Sequence, residues 1–197
     1  MRVLPIFIAT AAQAALLAFP VLAAEPAAAP APSAGAPTST PAAPPAAVAN
    51  PLDDIPDAMP FNTAYGAPVT LSRAQAAVQA GIDAATKRNW QISIAVLDSG
   101  GNLVAFARMD GGQLVSVKIA QQKADTAVRF RRPTKVFEDA IQKKGFNYLL
   151  TIDSILASRG GIPLIEDGKL IGAIGCSGGT GSQDEAVCTA GAATINK

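Results

Sequence analysis

The 197-residue chain contains no histidine and only two cysteines. Without histidine, a Ser–His–Asp triad, a histidine-ligated zinc ion and an imidazole proton shuttle are all excluded. Two cysteines are too few for an all-cysteine zinc site or for holding an iron–sulfur cluster alone. The net charge is only +1, so the chain also lacks the basic excess typical of dedicated nucleic-acid-binding domains.

Proline is scarce after residue 68, because 13 of the 15 prolines precede residue 69. Residues 1–24 have the pattern of a secretory signal: Arg2 gives a positive start, residues 6–22 are apolar and small residues follow. The alternative is an uncleaved membrane anchor, but the apolar run is short for a span and Pro20 interrupts it. We therefore predict cleavage, no stable membrane span afterwards, and a periplasmic or secreted mature protein.

Residues 25–67 are rich in alanine and proline and poor in large apolar groups. Such a composition buries too little surface to offset the entropy of ordering, so the segment is predicted to be a disordered spacer. Residues 52–67 form a transition that could pack as a strap. The folded domain is predicted over residues 68–197, beginning near Pro68.

Two β-hairpins are predicted within this domain. Residues 91–97 and 103–108 have strand periodicity and are joined by turn residues at 98–102. A second pair, residues 162–165 and 170–175, flanks an Asp-Gly turn, which is a strong hairpin signal.

Helical patterns lie before, between and after the hairpins. A capping box of Ser72 and Gln75 is predicted to start the first helix, and Ser182 with Glu185 to start the last, which ends near Asn196. Between them come a helix over 114–130, a short helix near 135–143 and an ambiguous segment over 148–157. The order predicts a single α+β domain whose mainly antiparallel sheet is covered by helices.

The first candidate site is the corner formed by Arg108, Met109 and Asp110, where a strand leaves the sheet. Arg108 has the geometry to clamp a carboxylate in bidentate fashion. The alternative is that Arg108 and Asp110 pair locally and the glycines that follow only make the turn.

Two other segments carry polar groups suited to an anion. Lys123 and Thr126 lie three residues apart on one helix face, although a solvated face is an equally simple interpretation. Ser177 and Gly178 belong to a glycine-rich loop that leads into a helix, where backbone N–H groups can bind an anion. This loop is not a P-loop, and a plain flexible connection is the alternative. We predict no metal site, because no paired carboxylates stand on the Lys123 helix.

Cys176 and Cys188 are the only thiols, and in an oxidising compartment an even count favours a disulfide. The alternative is a pair of small buried hydrophobic residues, and the sequence leaves both open. A catalytic role is disfavoured because no histidine is present to generate a thiolate.

The succession of motifs resembles the GlcG/HbpS-type heme-binding family, also described as heme-degrading-domain proteins. The resemblance covers nearly all of residues 70–196 and rests on the following residues in order: Ala95-Val96-Leu97-Asp98 with Gly100, Arg108-Met109-Asp110-Gly111, Lys123-Ala124, Thr126-Ala127, Gly160-Gly161-Ile162-Pro163, Gly168, Gly172-Ala173-Ile174-Gly175, Ser177-Gly178 and Asp184.

The resemblance implies an α/β sandwich-like domain with a five-stranded antiparallel sheet, assembled into homo-oligomers. It also implies a heme or tetrapyrrole ligand, with a role in heme sensing, storage or breakdown. Heme iron usually takes His, Cys, Met or Tyr, so the candidate ligands here are Met109, Tyr148, Cys176 and Cys188. The alternative is apolar contact with propionate pairing to Arg or Lys and weak or no ligation by the protein.

Three functions therefore stand as hypotheses. The leading one is a secreted, oligomeric heme-binding protein. Its expected partner is a small-molecule or tetrapyrrole ligand, and nucleic acid is not expected to bind. The second is an enzyme acting on a small acid or on heme, in which Arg108 holds a carboxylate and Asp110 or Lys123 moves a proton. The third is a non-catalytic scaffold. All site roles depend on the Arg108 corner and the glycine loop facing a shared cavity.

Overall fold

A computed structural model describes residue 50 and residues 52–196. The chain divides into two units, Met1–Asn50 and Pro51–Lys197, and all the secondary structure described lies in the second. The signal segment and most of the Ala/Pro segment predicted from the sequence lie outside the described residues. No helix in the described range is long and apolar enough to cross a membrane.

The described residues form five strands and four α-helices, with two strand pairs separated by helices. In chain order these are β1 (Ala64–Tyr65), α1 (Leu71–Thr86), β2 (Ser93–Asp98), β3 (Leu103–Arg108), α2 (Leu114–Phe130), α3 (Lys135–Lys144), β4 (Gly161–Glu166), β5 (Lys169–Ser177) and α4 (Gly181–Ala192), with a 3₁₀ turn over Asn147–Thr151 after α3. The two predicted hairpins are β2–β3 and β4–β5, and the predicted helix over 114–130 is α2.

Strand β5 is the centre of the sheet. It pairs antiparallel with β4 along one edge and with β2 along the other, and β3 pairs antiparallel with β2. The short β1 runs parallel to the start of β5. The fold is thus the α+β domain with a five-stranded sheet that was predicted, but the sheet is mixed, and the purely antiparallel form implied by the resemblance is wrong.

Local turn chemistry explains both hairpins. The Asp98 carboxylate accepts hydrogen bonds from the backbone N–H groups of Gly100 and Asn102, which closes the β2–β3 turn. In the β4–β5 turn, Asp167 and Gly168 both have positive φ, at 47° and 71°. A two-residue turn of this kind matches the twist of the strands it joins.

Helices cover both faces of the sheet. Helices α1 and α4 pack on one face over a core that contains Ile92, Ile94, Leu164 and Ile174. Helix α2 packs on the other face over a smaller cluster in which alanines predominate: Ala95, Ala120, Ala124, Ala127 and Ala173, with Leu97, Val128 and Leu170.

Two predicted helix caps need correction. Helix α1 begins after Thr70 with no side-chain cap, so Ser72 and Gln75 do not form a capping box. The capping box of α4 is real but is formed by Thr180 and Gln183, two residues earlier than predicted. In both places several adjacent residues can cap, and the sheet decides where the helix begins.

The end of the predicted spacer belongs to the fold, which starts before Pro68. Residues 64–65 form β1, and the Tyr65 hydroxyl donates to the carbonyls of Val128 and Arg129. The Arg132 guanidinium lies 3.8 Å from the centre of the Phe61 ring. These contacts come from the C-terminal end of α2, so pairing with distant residues orders a segment whose own composition favours disorder.

Candidate functional site

The Arg108 corner turns sharply after β3. The Met109 N–H donates to the Ile92 carbonyl, and Gly111 has a φ of +76° that allows the chain to reverse. Met109 packs against the core on the α1–α4 face, whereas Arg108 and Asp110 are exposed. The corner therefore presents one cation and one anion to solvent beside a fixed turn.

The glycine loop lies directly against this corner. A side chain at Gly178 would collide with the Gln91 carbonyl, and Gln113 Nε2 donates to the Gly178 carbonyl at 3.4 Å. Together the two segments border a cavity of about 210 Å³, the corner cavity, lined by Asn89, Trp90, Gln91, Ile92, Gly111, Gln113, Gly178, Gly179 and Gln183. Gly111, which follows the corner, and the glycine loop thus border one cavity, whereas Arg108, Met109 and Asp110 do not line it.

The predicted site residues divide among three places. Gly178 lines the corner cavity, with Arg108, Met109 and Asp110 beside it in the chain. Ser177 is buried in β5, in register with Ser93 of β2. Lys123 and Thr126 are buried under α2, so they form neither the solvated face nor the exposed anion site considered from the sequence.

Lys123 forms a buried ion pair. Its Nζ lies 2.7 Å from Asp184 Oδ2, and the two side chains are only 2% and 3% exposed. Asp184 Oδ1 also accepts the Gly179 N–H at 3.0 Å. Burial raises the pKa of the Asp184 carboxyl, against the Lys123 ammonium and the loop N–H groups, which favour its charged form. The pair joins α2 to the first turn of α4 beneath the glycine loop.

Asp184 is absent from the site residues chosen on sequence grounds. It appears in the family-like motif, but an acidic residue in the first turn of a helix has a simpler explanation as a partner of the helix dipole. Its pairing with Lys123 spans 61 residues in sequence. Only the glycine-rich loop directly before it hinted at a close approach of backbone and side chains.

Thr126 also has a structural role. Its hydroxyl donates to the Ser154 carbonyl and accepts the Leu156 N–H, each at 2.9 Å. The single O–H donor of this buried hydroxyl and one of its two acceptor lone pairs are used by the loop that follows the 3₁₀ turn. Thr126 therefore anchors this loop on α2, and its donor is not available to a ligand.

Cys176 and Cys188 are joined as a disulfide, with Cα atoms 5.6 Å apart. The bridge ties the end of β5 to α4, and both residues are fully buried. Because both sulfurs are bonded to each other, neither is a free thiolate for heme iron. Of the four candidate iron ligands, Met109 packs on the core and Tyr148 is half exposed beside Phe146.

The basic residues after α2 are engaged locally. Arg129 pairs with Asp125 at 2.7 Å, and Lys135 pairs with Asp139 at 2.7 Å. Arg131 donates to the Thr63 carbonyl, and Arg132 stacks on Phe61. This cluster fastens the N-terminal strap to the domain.

A larger opening lies on the outer side of α2. The α2–β3 cleft has a volume of about 380 Å³ and is lined by Leu97, Gly101, Leu103, Val117, Lys118, Gln121, Gln122 and Asp125. A second cleft of about 380 Å³ adjoins the α2–β3 cleft, since both are lined by Gln122 and Asp125. Its other lining residues are Thr126, Arg129, Asp153, Ser154, Ile155 and Leu156. Each volume falls within the usual range of small-molecule sites, whereas the corner cavity is below it.

The α2–β3 cleft combines apolar walls with a cation and with the carboxylate of Asp125, whose charge is paired with Arg129. Leu97 and Leu103 come from the first hairpin and Val117 from α2, while Lys118 is exposed at the rim. Within the described part of the chain, Lys118 makes no ion pair. Such a cleft suits a flat apolar molecule that carries a carboxylate.

Comparison with known proteins places this geometry in a family. The family model described as "Haem degrading protein HbpS-like" matches residues 69–193. Protein GlcG of Escherichia coli K12 is 43% identical over 104 residues, which cover 53% of this chain and 77% of GlcG.

Two solved structures share the fold over nearly their whole length. A variant of HbpS from Streptomyces reticuli has a TM-score of 0.62 and 30% identity, covering 73% of this chain and 98% of that one. The PduOC:heme complex has a TM-score of 0.59 and 28% identity, covering 66% of this chain and 96% of that one. The resemblance drawn from the sequence motifs is confirmed: this chain belongs to the HbpS-like family.

Proposed function

We propose that this protein binds heme or a related tetrapyrrole in the α2–β3 cleft. The observation that carries the proposal is that this chain, a member of the HbpS-like family, resembles the PduOC structure crystallised with heme. Within this chain, the α2–β3 cleft is the opening whose lining best suits such a ligand.

The lining of the cleft matches the ring and the carboxylates of a porphyrin but not its metal ion. Leu97, Leu103 and Val117 offer apolar contact to the ring, and Lys118 offers a cation to a propionate. The lining holds no Cys, Met or Tyr, and the sequence holds no histidine. The residues present therefore fit the macrocycle and its carboxylates but supply no usual ligand to the iron.

When bound, heme would contribute its redox-active iron, and the chain's own residues would orient the ring and its carboxylates. Recognition would then depend on apolar area and on the Lys118 charge. A metal-free porphyrin presents the same ring and the same carboxylates. Hemin and protoporphyrin IX should accordingly bind with similar affinity.

Absorbance titration of the full chain with hemin, repeated with protoporphyrin IX, tests the proposal. We expect saturable spectral changes and dissociation constants that agree within about threefold. Absence of a saturable change with either porphyrin would reject the function. A strong preference for hemin would reject the cleft and favour ligation of iron elsewhere, with Met109 and Tyr148 as the first candidates.

A matched pair of variants locates the site. Leu103→Glu places a charge on the cleft wall, and Leu71→Glu does the same on α1, outside the cleft. The two leucines have similar exposure, 51% and 55%. We expect Leu103→Glu to weaken porphyrin binding by about tenfold or more and Leu71→Glu to leave it unchanged. Equal effects would indicate nonspecific adsorption.

The export of the protein is part of the same proposal. The signal-like pattern of residues 1–24 and the disulfide both suit an oxidising compartment outside the cytoplasm. Homo-oligomerisation, which the family resemblance implies, also stays a prediction. The N-terminal residue of protein recovered from cells and its mass in solution would decide these two points.

The alternative hypothesis, an enzyme acting on a small acid or on heme, loses one of its two proposed proton-transfer groups. Lys123 is buried and held by Asp184, so it is not available to a substrate at the exposed Arg108. No observation favours turnover over binding.

A further inference from the structure

We propose that the corner cavity is a second, separate binding site, for a small neutral sugar or cyclic polyol. It does not depend on the tetrapyrrole proposal, since the corner cavity and the α2–β3 cleft share no lining residue. The chemistry of the two sites also differs, because amide side chains line the corner cavity, whereas apolar side chains and a lysine line the α2–β3 cleft.

The lining of the corner cavity contains no charged side chain. Four of its nine residues are amides, namely Asn89, Gln91, Gln113 and Gln183, and three are glycines that expose their backbone. The neighbouring charged residues Arg108 and Asp110 are exposed and do not line it, so a carboxylate or an ammonium group would find no opposite charge in the lining. A ligand for this cavity is therefore neutral and rich in hydrogen-bonding groups.

The glycines hold two of these amides in place. A Cβ at Gly111 would meet the Gln91 side chain at 3.0 Å, and a Cβ at Gly179 would meet Gln183 Oε1 at 2.6 Å. The Gln91 and Gln183 side chains thus pack closely against the backbone of Gly111 and Gly179. Any other residue at these two positions would push the amides away.

The amides keep free hydrogen-bonding capacity. Gln113 uses Nε2 on the Gly178 carbonyl, and Gln183 uses Oε1 on the Thr180 N–H. Gln113 Oε1 and Gln183 Nε2 are left, and among the described residues no protein group bonds the Gln91 amide. The cavity thus presents donors and acceptors side by side, which matches hydroxyl groups because each hydroxyl both donates and accepts.

The size limits the ligand to a small molecule. A volume of about 210 Å³ corresponds to about seven water molecules at their share of liquid volume. One sugar ring is of this order, whereas a tetrapyrrole is much larger.

Trp90 provides a specific readout, because it lines the cavity and is the only tryptophan in the chain. Fluorescence of the full chain is titrated with D-glucose and myo-inositol up to about 100 mM, a range that captures weak binding. D-Glucuronate and D-glucosamine serve as matched charged sugars. We expect a saturable change with at least one neutral probe and at least tenfold weaker binding of the two charged sugars.

Gln91→Leu removes the free amide while keeping similar size, and Gln75→Leu is the control on the exposed surface of α1. We expect Gln91→Leu to weaken binding by about tenfold, the loss expected for two hydrogen bonds, with Gln75→Leu unchanged. Unchanged circular dichroism in both variants shows that folding is intact.

Three results would overturn the proposal. They are no saturable change with either neutral probe, equal binding by Gln91→Leu and the unsubstituted chain, and equal or tighter binding of a charged sugar. Because the porphyrin titrations probe a different surface, failure here leaves them unaffected, and their failure leaves this site unaffected.

Discussion

The two faces of the sheet are built differently. On the α1–α4 face, large aliphatic side chains such as Ile92, Ile94 and Ile174 fill the space between helix and strand. On the α2 face, five of the eight buried cluster residues are alanines, and at Gly175 an added Cβ would collide with the α2 backbone. Helix α2 therefore lies almost directly on the strands.

The two faces also differ in how they are held together and in what they leave open to solvent. The α1–α4 face buries more apolar volume and is closed by the disulfide. The α2 face buries less, contains the ion pair of Lys123 and leaves the outer side of α2 open as clefts. A helix seated closely on the strands is a rigid platform, which is what the partly buried Val117 and the exposed Lys118 need in order to meet a ligand in fixed positions.

The largest expected effect is on the α2 face. Lys123→Met should lower the free energy of unfolding by about 3–5 kcal/mol, because it leaves the Asp184 carboxylate buried without a counter-charge. Urea denaturation followed by circular dichroism measures the loss. The double variant Lys123→Met with Asp184→Leu should recover most of it, since an apolar pair replaces the ions. A single-variant loss below about 1 kcal/mol would contradict the buried pairing.

The disulfide tests the opposite face. Replacing Cys176 and Cys188 together by alanine should lower the unfolding free energy by about 3 kcal/mol, because a bridge with a sequence separation of 12 constrains the unfolded chain. Denaturation of the unsubstituted chain with and without dithiothreitol should give a similar difference. If reduction leaves the denaturation midpoint unchanged, the disulfide does not stabilise the fold by restricting the unfolded chain.

Two glycine substitutions compare the faces directly. Gly175→Ala on the α2 side would meet helix backbone, which moves only as a unit, so a loss of about 1–3 kcal/mol is expected. Gly81→Ala on the α1 side would meet the flexible end of Ile94 at 2.7 Å, and the gain in helix propensity of about 1 kcal/mol offsets that contact. Chemical denaturation of both variants measures the contrast. Similar losses for the two would show that α2 is no more closely seated than α1.

The smallest effect is expected from charge pairs outside both cores. The Arg159 guanidinium lowers the pKa of Glu138, and Lys135 with Lys143 lowers the pKa of Asp139 to about 2. Because these folded pKa values lie below the unfolded ones, the stabilisation is present above about pH 4.5 and is lost as the pH falls toward 2.

Glu138→Gln isolates one of these pairs. At pH 7 the variant should be less stable by under about 1 kcal/mol, and the difference should shrink as the pH falls through the titration range of carboxyl groups, because the native glutamate then gains a proton and loses its charge. Thermal melts of both proteins at a series of pH values from neutral to acidic provide the measurement. A difference that stays constant over this series would mean that the glutamate contributes through packing and not through its charge.

Much of the fold was predictable because its signals are local. Alternation over 93–98 and 103–108, the Asp-Gly turn before β5 and the apolar spacing over 114–130 each lie within one segment. The helix caps were misplaced by about two residues, since neighbouring Ser and Thr residues are chemically equivalent as caps. Strand β1 was missed because it is two residues long and is ordered only by its contacts with β5 and α2.

The candidate sites were less predictable. Of the residues chosen from the sequence, Gly178 lines the corner cavity and Arg108 does not, and the amides Gln91, Gln113 and Gln183 that do line it carry no motif and come from three separate segments of the chain. Lys123 and Thr126 were chosen for their chemistry, yet both are buried and already bonded. Polar type and spacing indicate what a side chain can do but not whether a partner in the protein already occupies it.

By itself, the sequence determined the element order, the two hairpins, the family and the exclusion of histidine chemistry, because these depend on composition and on neighbours along the chain. The tertiary structure decided the rest. It placed Asp184 against Lys123, joined the two cysteines, left Lys118 without an ion pair in the described residues, and laid the glutamines on glycine backbone. These outcomes depend on contacts between separated parts of the chain, 61 residues apart for Lys123 and Asp184, and only packing in three dimensions selects them.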